Sequence, residues 1–190
     1  FIPPKLANEP LPKRVKLAFE KLGPVFVKFG QLLSTRPDLI PAEYMEELAK
    51  LQSQVRPFSS KLSREIIESA LKHPIQKVFS SFSDDPVASA SIAQVHRGKL
   101  LENGKEVAIK VLRPGIGKII RKDIRLLKII AKIVEKMFSD GKRLRPLAVV
   151  EEFETTIYGE LDLLQEAANC TELARLHKDD HRIVIPEIYY

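Results

Sequence analysis

The stretch Glu106-Val107-Ala108-Ile109-Lys110-Val111-Leu112 decides how this chain is read. Its β-branched and aliphatic run predicts a buried strand with one charge near its middle. An ammonium buried there without a partner costs on the order of several kcal/mol. Lys110 therefore needs a carboxylate or a phosphate, unless strand alternation turns it to water at a sheet edge.

Working outward, Glu102-Asn103-Gly104-Lys105 is a strong hairpin signal, and Pro86–Leu101 before it is rich in Ala, Ser and β-branched residues. Arg113-Pro114-Gly115 ends the strand. Residues 118–138 read as a long helix, Pro146–Tyr158 as the start of another and Glu160–Leu176 as a third, with Arg182–Ile188 as a returning strand. Towards the N-terminus the pattern is helical: Pro12–Leu22, Val25–Ser34, a helix from Pro41 to about Ser53, and Ser63–Leu71. A short Ile75–Phe82 segment follows. These divide the chain into an N-terminal helical extension, 1–76, and an α+β lobe, 77–190.

The chain has 190 residues, with 31 Lys and Arg against 25 Asp and Glu, and 44% hydrophobic residues. That is an ordinary globular composition, which excludes wholesale disorder and a disulfide scaffold. The single Cys170 suits a reducing compartment and packs as a small apolar residue. No apolar run approaches the roughly 18 residues of a membrane span. The opening at Phe1 and the end within Ile188-Tyr189-Tyr190 are those expected of a piece of something longer. Charge is uneven: residues 115–145 carry 10 basic and 3 acidic groups, and 146–190 carry 3 and 10. The first excess lies largely on one helix, where Lys118, Arg121, Lys122, Arg125, Lys132 and Lys136 form a stripe. Ile119, Ile120, Leu127, Ile130, Val134 and Met137 line much of the rest. That pattern suits an anionic membrane surface, or equally a solvated face over a packed one. No aromatic residue interleaves the stripe, so a nucleic-acid partner is not expected.

Upstream of Lys110 stands Ala88-Ser89-Ala90-Ser91-Ile92-Ala93-Gln94-Val95-His96. Small side chains let backbone N–H groups approach phosphate oxygens, although Ala rarely reaches left-handed backbone geometry. A strand with small packing residues is the plainer reading. Neither G-x-G-x-x-G nor a Walker A sequence occurs, which excludes the dinucleotide-binding fingerprint and the P-loop. Downstream, Glu160, Asp162 and Glu166 supply three carboxylates; on a helix Asp162 and Glu166 share a face. First-turn acidity favoured by the helix dipole explains them equally well. His177 and His181 have a metal-compatible spacing beside Asp179 and Asp180, but no third ligand of the right kind is evident, and no metal site is expected within this chain.

Val-Ala-Ile-Lys matches the strand on which kinases carry the lysine that holds the nucleotide α and β phosphates and pairs with a helix Glu. Lys28-Phe29-Gly30-Gln31 fits K-x-G-Q, Ala88–Ser91 is similar to an Ala-rich nucleotide loop, and Glu160-Leu161-Asp162 fits E-x-D before a Glu-Ala-Ala helix. These motifs, in this order, resemble the UbiB family of atypical protein-kinase-like ATPases. The resemblance implies a kinase-like N-terminal lobe of a small antiparallel sheet plus helices, with an N-terminal helical extension and inserted helices between Lys110 and Glu166. Lys110 would hold phosphates and pair with Glu166. Ala88, Ser89, Ala90 and Ser91 would line the loop over the nucleotide, with Ser89 standing where the family usually has alanine. Lys28 and Gln31 would fold over the site and meet Glu160 and Asp162.

The resemblance further implies ATP or ADP with Mg2+, and hydrolysis in support of isoprenoid-quinone (ubiquinone) synthesis rather than protein phosphorylation. Quinone-biosynthesis proteins are implied partners, at the cytoplasmic face of a membrane. The metal ligands would lie in a C-terminal lobe, because no H-R-D or D-F-G equivalent occurs before Tyr190. This piece alone is therefore expected not to turn over ATP. A non-catalytic lipid- or protein-binding scaffold and a true protein kinase are the alternatives.

Overall fold

In the computed structural model, residues 8–52, 55–137 and 141–190 are described. They form two compact units, dividing between Leu126 and Leu127. The first opens with helices α1 (Leu11–Leu22), α2 (Pro24–Leu33) and α3 (Ala42–Leu48). α2 buries Val25, Phe26, Val27, Phe29 and Gly30. Phe19 of α1 packs its ring against Phe26 and Phe29 at 5.9 and 6.4 Å. Val27, Leu48 and Leu51 form a cluster that Val15, Phe19, Leu33 and Ile40 close. α3 is shorter than its reading: Pro41 is its N-cap, and the helix stops at Leu48 so that Leu51 can drop into this cluster. Ser53 lies outside the described residues.

Helix α4 (Ser60–Leu71) is capped by Ser59, whose Oγ accepts from the Leu62 N–H. A 3-10 turn at Ile75–Lys77 leads into strands β1 (Phe79–Phe82), β2 (Ala88–Ser89), β3 (Ala93–Leu100) and β4 (Glu106–Leu112). β3 is the centre of an antiparallel sheet. β4 pairs along Ala93–Lys99, while the other edge takes β2 at Gln94–Val95 and β1 at Gly98–Leu100. The β3–β4 turn uses Gly104 at φ +69°, a left-handed conformation that favours glycine.

One face of the sheet meets α4. Ile67, Ile75, Phe79 and Val111 form its core, with Ile66, Leu71, Val107 and Ile109 against them. Three polar side chains lie wholly within it: Ser63, Gln94 and His96 are each 0% exposed. His96 Nδ1 lies 2.8 Å from the Ser83 carbonyl, which can only accept, so Nδ1 carries the proton. Nε2 then accepts from Gln94 Nε2 (2.9 Å), with Ser63 Oγ beside it at 3.1 Å. Gln94 also grips the Phe58 backbone, accepting from its N–H at 3.0 Å and donating to its carbonyl at 3.3 Å. The network satisfies groups that would otherwise destabilise the core.

Helix α5 (Ile116–Met137) begins in the first unit and runs into the second, where α6 (Gly141–Leu144), α7 (Pro146–Gly159) and α8 (Leu163–Leu176) follow. α7 buries Val149, Val150, Phe153 and Ile157. Lys128 of α5 donates to Glu154 of α7. Two readings change in this unit. α8 begins at Leu163 rather than Glu160, because Asp162 caps it. Arg182–Ile188 is not a strand. Arg182 bonds Asp180 through both its backbone N–H and its guanidinium, which holds a turn, and Val184 is 91% exposed. Cys170 Sγ donates weakly to the Pro186 carbonyl, keeping the segment beside α8.

Candidate functional site

Antiparallel register sorts the sheet residues by face. Lys110 stands opposite Val95, and Val95 stands opposite Ala88. These three, with Ala108 and Arg97 one pair along, occupy the face away from α4. Ala88, Ala108 and Lys110 are exposed and Val95 is half-buried. β4 is thus not buried on both faces as its composition predicts: Val107, Ile109 and Val111 point to the core, and Ala108 and Lys110 point out. An ammonium beside a small apolar platform suits a ligand with a flat apolar part and an anionic part. Val95 and Ala108 escaped the sequence reading, although their period-two relation to Lys110 was visible once the strands were paired.

β2 and β3 are joined by Ala90-Ser91-Ile92, and the Ala90 N–H donates to the Ala93 carbonyl at 2.8 Å. Among the described residues, the non-glycine residues with positive φ are Lys72 and Arg145. The turn therefore uses no left-handed residue, so alanine and serine suffice where a Gly-rich loop would be expected. Ser91 and Ile92 are buried. Ser89 pairs in register with Gln94, so it points to the opposite face from Lys110. Its Oγ donates to the Val55 carbonyl (2.8 Å) and accepts from Arg113 Nη2 (2.8 Å). Arg113 Nε also donates to the Ala90 carbonyl at 3.0 Å, and the guanidinium stands 5.7 Å from the Phe58 ring centre. Burial holds the Arg113 pKa below the usual arginine value. Sequence reasoning took Arg113 only as the end of a strand.

Lys28 and Gln31 lie on α2, in the same compact unit as the sheet. Gln31 Nε2 donates to the Leu51 carbonyl at 2.9 Å, which fixes the chain after α3 to α2. Gly30 has a packing reason: a Cβ there would run into Leu51 Cδ1 and come within 2.7 Å of Phe19 Cδ2. Lys28 is half-buried.

Glu160, Asp162 and Glu166 belong to the second unit. Glu160 is the C-cap of α7, its N–H donating to Thr156. Asp162 is the N-cap of α8, and its Oδ1 accepts from the Gln165 N–H at 2.9 Å. Asp162 therefore precedes the helix rather than standing within it, and its carbonyl accepts from the Glu166 N–H at 3.1 Å. Glu166 stands in the first turn and is exposed. His177 is the C-cap of α8, its backbone N–H donating to the Leu173 carbonyl. The structure thus brings together Lys110, Val95, Ala108 and the Ala88–Ser91 hairpin on one sheet.

A small antiparallel sheet with an outward lysine on its edge strand, beside helices, defines a kinase-like α+β lobe. Residues 50–190 match the ABC1 atypical kinase-like domain family, and the chain belongs to that family. The chain is 50% identical over 188 residues to a protein called probable protein kinase UbiB of Marinobacter nauticus, covering 99% of this chain and 34% of that protein. It is 47% identical over 190 residues to the protein of the same name in Klebsiella pneumoniae, covering 100% of this chain and 35% of the relative. This chain spans about a third of the length of the curated relatives it matches. Among solved structures it is similar to Rv3197 of Mycobacterium tuberculosis, determined in complex with erythromycin, with TM-score 0.59 and 31% identity over 85% of this chain and 40% of that one. The UbiB resemblance read from four ordered motifs is thereby upheld.

Proposed function

We propose that this chain is the nucleotide-binding lobe of a kinase-like ATPase that supports ubiquinone biosynthesis. The observation carrying the reading is the register that puts Lys110, Val95 and Ala88 on one open face. An ammonium there would take nucleotide phosphates, while Val95 and Ala108 would meet the flat face of the base. Mg2+ would accompany ATP or ADP and would draw its ligands from outside this chain. Glu166 is the proposed carboxylate partner of Lys110, and Lys28 the proposed partner of Glu160 and Asp162. The curated relatives' name supports the link to ubiquinone.

The test is binding of Mg-ATP and Mg-ADP, with phosphate release, by the intact protein and its Lys110→Ala variant. Binding and slow release that vanish in the variant support the reading. Equal binding by both proteins sinks it, and turnover on a peptide substrate would replace hydrolysis by protein phosphorylation.

A second reading concerns α5. Its buried residues are Ile116, Ile120, Ile124, Leu127 and Ala131, whereas Ile119, Ile130, Ile133 and Met137 are exposed. The apolar positions grouped together in the sequence thus split: Ile120 and Leu127 turn inward, Ile119, Ile130 and Met137 outward. Lys118, Arg121, Lys122, Arg125, Lys132 and Lys136 are all exposed beside that outer stripe. We propose that this helix lies on an anionic membrane surface, consistent with a peripheral place at the cytoplasmic face. Among the described residues no helix is long and apolar enough to cross a membrane. Sedimentation with vesicles containing about 30% anionic lipid should capture the protein and lose it in Ile133→Glu; equal capture of both would overturn the surface.

A further inference from the structure

Resting on the nucleotide reading, we propose that Arg113 and Ser89 form a clamp that sets the shape of the Ala88–Ser91 hairpin, and that Arg113 is a positioning residue for nucleotide binding. It sits just beyond β4, three residues after Lys110, and its backbone N–H donates to the Ile92 carbonyl at 2.8 Å. Its side chain returns to the same hairpin twice, at the Ala90 carbonyl and the Ser89 hydroxyl. One residue thus holds three points of a turn that has no glycine.

The hydroxyl of Ser89 is what completes the clamp. It accepts from the guanidinium and passes a proton donor on to the Val55 carbonyl. Val55 is also within 3.5 Å of Arg113 Nη2, and Phe58 lies under the guanidinium. Phe58 is in turn fixed to β3 by Gln94 at both its N–H and its carbonyl. The hairpin is therefore tied through Arg113 to a segment that the buried Gln94–His96–Ser63 network holds rigid. An alanine at position 89 would leave Arg113 with only its own 3.5 Å contact to the Val55 carbonyl.

The consequence is specific. Ser89 points away from Lys110, so its effect on a nucleotide passes through the backbone of Ala90 and Ser91 rather than through contact. Charge-assisted bonds in a planar fork hold direction as well as distance. A lysine at position 113 keeps the charge and loses the fork. A looser turn holds the binding shape for less of the time, which weakens binding by the fraction of time the turn is misplaced.

The variants Ser89→Ala and Arg113→Lys of the intact protein test this, with amide exchange and fluorescent Mg-ADP and Mg-ATP analogues as readouts. Exchange at Ala90 and Ser91 should quicken about tenfold in each, as expected for loss of a hydrogen bond to a charged group. The double variant should add little to Arg113→Lys alone, because the two residues act as one unit. Affinity for the two analogues should fall about three- to tenfold, with a changed ADP to ATP ratio, while the unfolding midpoint of Ser89→Ala stays within about 2 °C. Exchange within twofold of the parent overturns the clamp. Faster exchange with unchanged affinities and ratio leaves Arg113 a merely structural residue and overturns the positioning role. A parent that binds neither analogue overturns the nucleotide reading itself, and the positioning role with it; the exchange rates then decide the clamp separately.

Discussion

The two faces of the β3–β4 pair carry polar groups for opposite reasons. On the inner face Gln94 and His96 are fully enclosed, and every bond they make goes to another part of the same unit. On the outer face Lys110 rises from a strand beside the small Ala108, with Glu106 and Leu112 at the strand ends. The inner groups are enclosed within the fold; the outer one is exposed. Polarity in a strand therefore says little until the face is known.

Exchanging the two outcomes is the sharpest way to break that contrast. Lys110→Ala should weaken Mg-nucleotide binding by about 100-fold or more while leaving the unfolding midpoint within about 2 °C; titration calorimetry beside a thermal melt reads both. His96→Ala should do the reverse. It leaves Gln94 and Ser63 short of a partner and opens a cavity, costing about 2–4 kcal/mol in urea unfolding. Nucleotide affinity measured well below its midpoint should fall by no more than the about three- to tenfold of a loosened hairpin. If His96→Ala loses affinity and keeps stability, the division between the faces is wrong.

Two smaller effects extend the comparison to the helices. Gly30→Ala gains about 1 kcal/mol of helix propensity but forces Leu51 and Phe19 apart at about 1–3 kcal/mol, so a net loss near 1 kcal/mol is expected in the same unfolding assay. Greater stability would mean that the K-x-G-Q glycine serves something other than packing. Asp162→Ala should cost about 1 kcal/mol through loss of the α8 cap, and Asp162→Asn should keep the cap while removing the charge. Equal loss of phosphate release in both variants would identify a role for the charge; loss in the alanine variant alone would identify the cap.

Much of the fold was legible because its signals are local. The Val-Ala-Ile-Lys strand, the Asn-Gly turn and the helix periods depend on neighbours in sequence, and α1, α2, β4 and the long α5 fall close to where those patterns put them. The misplacements share a cause. α3 stops early for the sake of Leu51, α8 starts late because Asp162 has a backbone N–H to satisfy, and Arg182–Ile188 has apolar character without a strand to pair with. Each was decided by a partner distant in sequence or by a cap competing with a helical position. The site divides in the same way. Lys110 and the Ala88–Ser91 hairpin were named from their residues, whereas Val95, Ala108 and Arg113 needed register and burial to be seen.

By itself the sequence determined the family, the presence of an outward-capable lysine in an apolar strand, and the small-residue turn that precedes it, because all three are written in short contiguous motifs. Only the tertiary structure decided that Lys110 faces out, that Ser89 faces in, and that Arg113 joins the turn to Val55. Those facts depend on which strand edges pair and which side a helix covers. A two-residue periodicity fixes only that neighbours point oppositely, and the packing of α4 chooses which side becomes the core.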